Sequence, residues 1–465
     1  MHEHILRTLR CRNEHRPGVM GRLATALGQA GANLGDIRTV WVGPEHIVRD
    51  LDILVADLDT LDAVVEVVRR LPDVALLEVI DDVLEFHIDG KLEVRPTHPV
   101  ETIHDLRRAY TPGVAEVVET LVAKPDESYV FTIRGKSVAI VTNGTRVLGL
   151  GNVGPVAALP VMEGKAALLH QFVRLSAFPI VLDTRDPTAI VETVQRIALG
   201  FAAIQLEDIE SPVCFEVEER LVASLEMPVL HDDQHGTAVA ALAAVENATS
   251  RAGIDLRRSR VGVLGLGAAG TAIARMLQAV TEAPVLGFDP SPDAQERLRR
   301  SGGELAVSQA ALLAEADILV AVSGRAGLIP ASQVRKNQGI LALTNPHPEI
   351  TPEDALAAGA AFAADGRSVN NLLGFPGILR GSIDSRASRI TQSMYVAAAR
   401  AIAAHARENE LVPNPLRHDV HQAVARAVAL AARESGVARV DLPSDYMREG
   451  DMPGRRRRRE RERGL

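Results

Sequence analysis

Aromatic residues are scarce in this chain: one Trp, four Tyr and nine Phe make up 3% of 465 residues. The core must therefore be filled by aliphatic side chains, and a hydrophobic content of 46% is ample for that. Two cysteines, Cys11 and Cys214, are too few for a disulfide framework and suit a reducing cytoplasm. No apolar run approaches the ~20 residues that cross a bilayer, and the N-terminus has no signal-peptide pattern. Positive charge is not in surplus either. The formal net charge is -9, which excludes general affinity for nucleic acid. Basic residues crowd only at Arg455–Arg463, where Glu460 and Glu462 interrupt them, and this stretch reads as a solvated, disordered tail. What remains is a cytoplasmic globular protein of two or three domains, without a membrane or nucleic-acid partner.

What the chain does have is a pair of acidic strand tips. Pro228-Val229-Leu230-His231 is a short apolar run that ends in Asp232-Asp233, followed by Gln234-His235-Gly236-Thr237 and an Ala-rich helix from Ala238 to Ala248. Upstream, Ala202–Leu206 is another apolar run, ending in Glu207-Asp208. Either pair alone would be read as helix-starting acids that favour the positive end of a macrodipole. Together, about twenty-five residues apart, they suit neighbouring parallel strands joined by one helix. Ligands bind at the carboxyl ends of such strands. Three of these carboxylates could then surround one hard divalent cation.

Two further units flank this centre. Residues 4–82 read as strand His4–Cys11, a helix with Pro17 near its first turn and ending near Ala30, strands Ile37–Val42 and Val48–Leu58, helix Leu61–Leu71 and strand Val74–Asp82. That βαββαβ order predicts a ferredoxin-like sandwich. Ser259–Asp289 reads as strand Val261–Leu264, the glycine turn Gly265-Leu266-Gly267-Ala268-Ala269-Gly270, helix Thr271–Val280 and strand Val285–Phe288 ending in Asp289. A lone GxGxxG is weak. Strand before it, helix after it and an acid about twenty residues further on make it a dinucleotide fingerprint. The glycines let backbone approach the pyrophosphate at the helix N-terminus, and Asp289 would accept hydrogen bonds from the adenosine ribose, favouring NAD over NADP.

The blocks Tyr110-Thr111-Pro112-Gly113-Val114-Ala115, Val161–Ala166, Leu206–Ile209, His231–Ala238 and Asn371–Gly377 resemble the malic enzyme family over about residues 100–445. The turns Arg16-Pro17-Gly18-Val19 and Ala32-Asn33-Leu34 resemble an ACT domain, a regulatory module that binds small ligands and precedes this core in some bacterial members. The resemblance implies an α/β protein: an ACT-like domain over 1–84, a linker over 85–99, a malic enzyme N-terminal catalytic domain over 100–245, and a Rossmann domain with C-terminal helices over 246–448, before a tail over 449–465. It implies oxidative decarboxylation of malate with NAD and with Mg²⁺ or Mn²⁺. A malolactic or oxaloacetate-decarboxylating enzyme is the alternative on the same scaffold. Lys165, in a segment read as beginning a helix at Val161, would be the base for the malate hydroxyl. A neutral lysine requires desolvation or a cationic neighbour to lower its pKa. Asp232 either tunes this base or caps its helix.

By the same resemblance, Glu207, Asp208 and Asp233 would hold the metal and Tyr110 would protonate the enol. Arg146 would fork onto a malate carboxylate. Asn345 and Asn371 match family asparagines at the substrate and nicotinamide. The segment from Asp289 to Leu305 is shorter than the usual bacterial insert, and a short polar segment of bacterial members is missing between Ser368 and Val369. Where ACT units pair, a small effector would bind, so a homodimer or larger assembly is expected.

Overall fold

A computed structural model describes residues 5–443 and 446, apart from 148 and 368. The arginine-rich tail expected to be disordered lies outside the described residues. The chain divides into two compact units, Met1–Lys91 and Leu92–Leu465.

The first unit contains strand β1 (Ile5–Glu14), helix α1 (Val19–Gln29), strands β2 (Asn33–Val42) and β3 (His46–Val55), helix α2 (Leu58–Arg69), strand β4 (Val74–Ile80) and short helix α3 (Asp82–Phe86). The sheet order is β2-β3-β1-β4, antiparallel throughout, which is the ferredoxin-like arrangement the pattern predicts. Leu9 and Cys11 from β1, Leu51 and Ile53 from β3, and Leu23, Leu27, Val64 and Val68 from the helices form its buried core. Gly18, with φ of 87°, caps α1, and Pro17 stands just before that cap, near the first turn as expected. One detail differs from the sequence reading. Asp81 caps α3 by accepting from the backbone of Val83 and Leu84, and this helix runs through the expected limit at residue 84.

The second unit begins with helices α4 (Ile103–Ala109), α5 (Val114–Ala123) and α6 (Ser128–Phe131). An alternating series follows: β5 (Ser137–Thr142), α7 (Pro155–Val173), β6 (Ser176–Val181), α8 (Pro187–Ile197), β7 (Ala203–Leu206), α9 (Val213–Ser224) and β8 (Val229–His231). These strands form a parallel sheet in the order β6-β5-β7-β8. Their sequences are apolar without alternation, as strands covered on both faces require.

Helix α10 (Asp232–Ala252) leads from β8 into a second sheet built from β9 (Val261–Leu264), α11 (Ala268–Gln278), β10 (Leu286–Phe288), α12 (Pro292–Arg300), β11 (Glu304–Leu305), α13 (Gln309–Glu315), β12 (Ile318–Ala321), β13 (Gly339–Ala342), α14 (Pro352–Ala357) and β14 (Phe362–Asp365). All six strands are parallel, in the order β11-β10-β9-β12-β13-β14. This is the doubly wound order, with its reversal between β9 and β12. Helices α15 (Phe375–Asp384), α16 (Gln392–Ala404) and α17 (His418–Glu434) complete the unit and share one core with α7, α10 and both sheets.

Two helices start earlier than the sequence pattern suggests. Helix α7 begins at Pro155, where proline supplies a preset first turn, so Val161–Ala166 lies in mid-helix. Helix α10 begins at Asp232, not Ala238, because its two acids occupy the first turn, where they interact well with the unpaired N–H groups.

The glycine turn joins β9 to α11. Gly265 has φ of 91°, and a Cβ at Gly270 would fall on the Gly265 carbonyl oxygen. At Gly267 a Cβ would meet no atom of the chain, so packing does not demand glycine there and the backbone is open to approach. Gly270→Ala should therefore lower unfolding stability by about 1–3 kcal/mol through overpacking, whereas Gly267→Ala should leave it within about 0.5 kcal/mol. Urea unfolding of the two variants checks this, and equal midpoints would contradict it.

Candidate active site

Three strands of the first parallel sheet deliver their next residues to one edge. The loop after β5 carries Asn143-Gly144-Thr145-Arg146, β7 is followed by Glu207 and Asp208, and β8 by Asp232 and Asp233. Backbone bonds fasten these loops together. Arg146 N–H donates to the Asp208 carbonyl at 3.0 Å, Asp208 N–H to Asp233 Oδ2 at 2.9 Å, and Glu210 N–H to Thr145 Oγ1 at 2.9 Å. Asp208 is held in the left-handed region, with φ of 53°. Non-glycine residues pay strain there, and such strain gathers at functional sites.

Glu207, Asp208 and Asp233 each offer a carboxylate oxygen, and these oxygens lie within 4.8 Å of one another. Glu207 and Asp208 are buried. Asp208 Oδ2 has no hydrogen-bond partner although it is buried. An all-oxygen set with a buried, unpartnered carboxylate oxygen fits a hard divalent cation. Burial pushes the Asp208 carboxyl up to about 7, with Asp233 adding to the effect, and burial likewise raises Glu207 well above the carboxylate range.

Lys165 projects from α7 into the same cluster. Its Nζ donates to Asp232 Oδ2, lies 3.1 Å from Glu207 Oε1 and stands 4.7 Å from the centre of the Phe375 ring. Asn371 Nδ2 donates to the same Asp232 oxygen at 2.9 Å. Asp232 is thus shared between Lys165 on α7 and a residue at the start of the segment leading to α15. It is fully buried, and its other oxygen has no partner. The space for its carboxylate comes from Gly236, where a Cβ would fall on Asp232 Oδ1. The expected depression of the lysine pKa is corrected here. Burial does press the Lys165 pKa down, but Asp232 and Glu207 outweigh it and the net direction is upward. In this form the ammonium keeps its proton.

Beneath the carboxylates lies a line of polar groups that sequence reading missed. Gln234 Nε2 donates to Glu218 Oε2 at 2.7 Å and to His231 Nδ1 at 2.6 Å. His231 Nε2 is then left facing Asp233 Oδ2, 3.4 Å away. His235 Nε2 donates to Glu218 Oε1 at 2.7 Å, and its ring stacks on Tyr395 of α16. The sequence signal was present in the run His231–His235, but Glu218 arrives from α9 and Tyr395 from α16.

On the second sheet, Asp289 follows β10 and accepts from the Leu266 N–H at 2.8 Å, so the acid braces the glycine turn. Gly265, Gly267, Ala268, Ala269 and Gly270 lie where the fingerprint places them, between β9 and the first turn of α11. Asn345 follows the carboxyl end of β13 and donates to the Gly366 carbonyl at 3.4 Å. Glu349, also unforeseen, is fully buried and accepts from Ser323 N–H (2.6 Å) and Thr344 Oγ1 (2.6 Å), tying together the tips of β12 and β13. Arg146 is exposed at the edge of the cluster. Tyr110 is not brought into it: its side chain is 68% exposed at the end of α4.

These features define a class, an α/β oxidoreductase with one sheet for a dinucleotide and one for a carboxylate–lysine centre. Residues 89–189 match the malic enzyme N-terminal domain and residues 288–437 the malic enzyme NAD binding domain, while residues 229–325 match the NAD binding domain of D-isomer specific 2-hydroxyacid dehydrogenases. The NAD-dependent malic enzyme 1 of Bacillus subtilis is 48% identical over 92% of this chain and 98% of its own length. The NAD-dependent malic enzyme of Geobacillus stearothermophilus is 39% identical over 90% of this chain and 92% of its own length. Among solved structures, the malic enzyme from Pyrococcus horikoshii Ot3 superposes with a TM-score of 0.74 at 38% identity, covering 78% of this chain and 93% of that one. The chain belongs to the malic enzyme family.

A carboxyl with its pKa raised to about 7 binds its proton in competition with a cation. Mn²⁺ affinity should therefore rise as pH climbs through about 7 and level off above it, falling about tenfold per pH unit below for one competing proton. Because Asp208 titrates near 4 when unfolded, its own contribution to the stability of the metal-free protein falls as pH rises from about 4 to about 7. Added Mn²⁺ should accordingly raise Tm more at pH 8 than at pH 6. Calorimetric titrations with equal affinity at both pH values would contradict this.

Proposed function

We propose that the protein oxidatively decarboxylates (S)-malate to pyruvate and CO2, reducing NAD, with Mg²⁺ or Mn²⁺ held by Glu207, Asp208 and Asp233. The observation that carries this reading is the contact of Lys165 with Asp232 and Glu207 at the edge of that carboxylate cluster. When bound, the cation supplies positive charge that polarises the C2 oxygen and offsets the carboxylates now holding the lysine proton.

Lys165 Nζ takes the proton of the C2 hydroxyl as hydride leaves C2 for the nicotinamide, and Asp232 Oδ2 orients the amine. Loss of CO2 from the β-keto acid leaves an enol; the family resemblance assigns the proton delivered to C3 to the Tyr110 hydroxyl, which stands exposed outside the cluster in the single chain. Arg146, exposed beside the cluster, pairs with a substrate carboxylate. Asn371 reaches substrate from the segment that also holds Asp232, and Asn345 serves the nicotinamide side at the end of β13. Net NADH formation separates this reading from a malolactic one. Asp289, a carboxylate beside the glycine turn, repels a 2′-phosphate and favours NAD.

Among the described residues, the ferredoxin-like unit carries no cluster comparable to the active site; its βαββαβ order and its Arg16–Val19 and Ala32–Leu34 turns support a regulatory role as an ACT domain. An amino acid or similar small ligand would bind where two such units pair in a cytoplasmic homo-oligomer.

Lys165→Ala should lower malate oxidation on the order of 10²–10⁴-fold with dinucleotide binding retained. Near wild-type turnover would remove Lys165 from the mechanism. Tyr110→Phe should slow pyruvate release by a similar factor while oxaloacetate formation persists. A truncation beginning at Leu92 should keep malate oxidation but lose the effector response, typically worth about 5–150-fold in affinity. The check is a thermal-shift screen followed by malate saturation curves on both proteins. A truncation that still responds in full would leave the unit an assembly element.

A further inference from the structure

Four polar side chains lead from helix α9 to the carboxylate cluster, and only the last of them belongs to it. Glu218 of α9 keeps its side chain 12% exposed. Its Oε1 faces His235 Nε2 and its Oε2 faces Gln234 Nε2, both at 2.7 Å. Gln234 Nε2 also stands 2.6 Å from His231 Nδ1. On the far side of the His231 ring, Nε2 faces Asp233 Oδ2 at 3.4 Å, and the Asp208 N–H donates to that same oxygen at 2.9 Å. Gln234 and His231 are fully buried, so bulk water does not compete for these contacts.

The direction of each bond is forced from the Glu218 end. Burial alone would raise the Glu218 carboxyl, but its ties to His235 outweigh that and hold it low, so its oxygens only accept. A Gln234 oxygen turned toward Glu218 would set acceptor against acceptor, so the amide NH2 must face it. That orientation leaves Gln234 Oε1 buried without a partner, a cost that marks how firmly Glu218 dictates it. The second hydrogen of the same NH2 points at His231 Nδ1, which must then be bare. A neutral imidazole carries one proton, which therefore sits on Nε2 and is turned toward Asp233. Among the described residues this buried Nε2 has no other partner. The second arm of Glu218 keeps the carboxylate in place, because His235 is itself stacked on Tyr395 of α16.

Two N–H groups thus converge on one oxygen of Asp233 and limit how its carboxylate can turn. Groups that orient a ligand in this way are worth about 10–100-fold in metal affinity. We propose that Glu218 is a positioning residue for the metal centre: through Gln234 it fixes the His231 tautomer that turns an N–H toward Asp233, and so sets the affinity of the carboxylate site for its divalent cation. This rests on the metal site proposed for Glu207, Asp208 and Asp233. Glu218 acts at two removes, through Gln234 and then His231.

Mn²⁺ binding to the full chain tests it, with the free ion followed by electron spin resonance. Glu218→Gln keeps the volume but can present an N–H to Gln234 and release its orientation. It should weaken Mn²⁺ about 10-fold or more while NAD binding, measured by titration calorimetry, is unchanged. The wild-type chain supplies a second measurement that no failure of a variant to fold can remove. In metal-free protein with ¹⁵N-labelled histidines, His231 should carry its proton on Nε2 and have a bare Nδ1. A proton on Nδ1 would overturn the proposal, as would a folded Glu218→Gln chain with wild-type Mn²⁺ affinity. Asp233→Asn separates the two layers. If it weakens Mn²⁺ and Glu218→Gln does not, the relay is refuted and the metal site stands. If neither weakens it, the metal site proposed for these carboxylates fails as well.

Discussion

The rest of the active site depends on one ammonium buried among carboxylates. Lys165 lies against Asp232 and Glu207, with Asp208 and Asp233 next in line. Taking so many like charges out of water is costly unless the charges are matched. One lysine does not match four acids. Burial raises the Glu207, Asp208 and Asp232 carboxyls above their usual range, so each holds a proton more tightly than a free carboxyl does. Asp233 goes the other way. Burial presses it up, but the hydrogen bond and charge of His231 win and hold it low. The cluster is therefore built for positive charge that the chain does not itself supply. Whether Lys165 is an ammonium or an amine depends on how that deficit is filled.

Topology explains why this charge is gathered at one place. Parallel strands joined by helices all end at the same edge, so β5, β7 and β8 bring their following residues together with no need for proximity in sequence. The second sheet repeats the device at the glycine turn and at the tips of β12 and β13, which Glu349 ties together. Helix α10 connects the two sheets and carries Asp232 and Asp233 in its first turn. The macrodipole there favours the acids, so the helix-start reading of this pair holds, and it leaves Asp233 free to stand among the clustered carboxylates.

Much of this was legible in the sequence. Apolar runs ending in paired acids located both strand tips, and the spacing between them required a single crossover helix. The glycine turn, flanked by strand, helix and Asp289, announced the dinucleotide sheet. The features that escaped were those whose cause lies far away along the chain. Glu218 on α9 and Tyr395 on α16 have ordinary helical surroundings, and only the fold brings them to His235. Glu349 reads as a loop acid until Ser323 and Thr344 fold over it. The helix starts were misplaced for a local reason. Asp232 opens a helix whose apolar run begins only at Ala238, and in α7 the second proline, Pro160, interrupts the pattern between the true start at Pro155 and Val161. The exposure of Tyr110 could not be read at all, since Ile103, Leu106 and Val118 carry the same spacing as any core-facing helix.

Asp232 is the point at which these layers meet. One of its oxygens accepts from both Lys165 and Asn371, so the lysine of α7 and the segment leading to α15 are fixed by a single carboxylate. Phe375, one turn beyond Asn371, places its ring against the same ammonium. A neutral amide in place of Asp232 would fit the space beside Gly236 and keep hydrogen-bonding capacity. It would also remove the largest charge favouring the lysine proton, shifting Lys165 toward its neutral form while loosening its orientation. Geometry and basicity are thus set by the same atom. A mutation that eases one disturbs the other, which is why neither can be assigned to Lys165 alone.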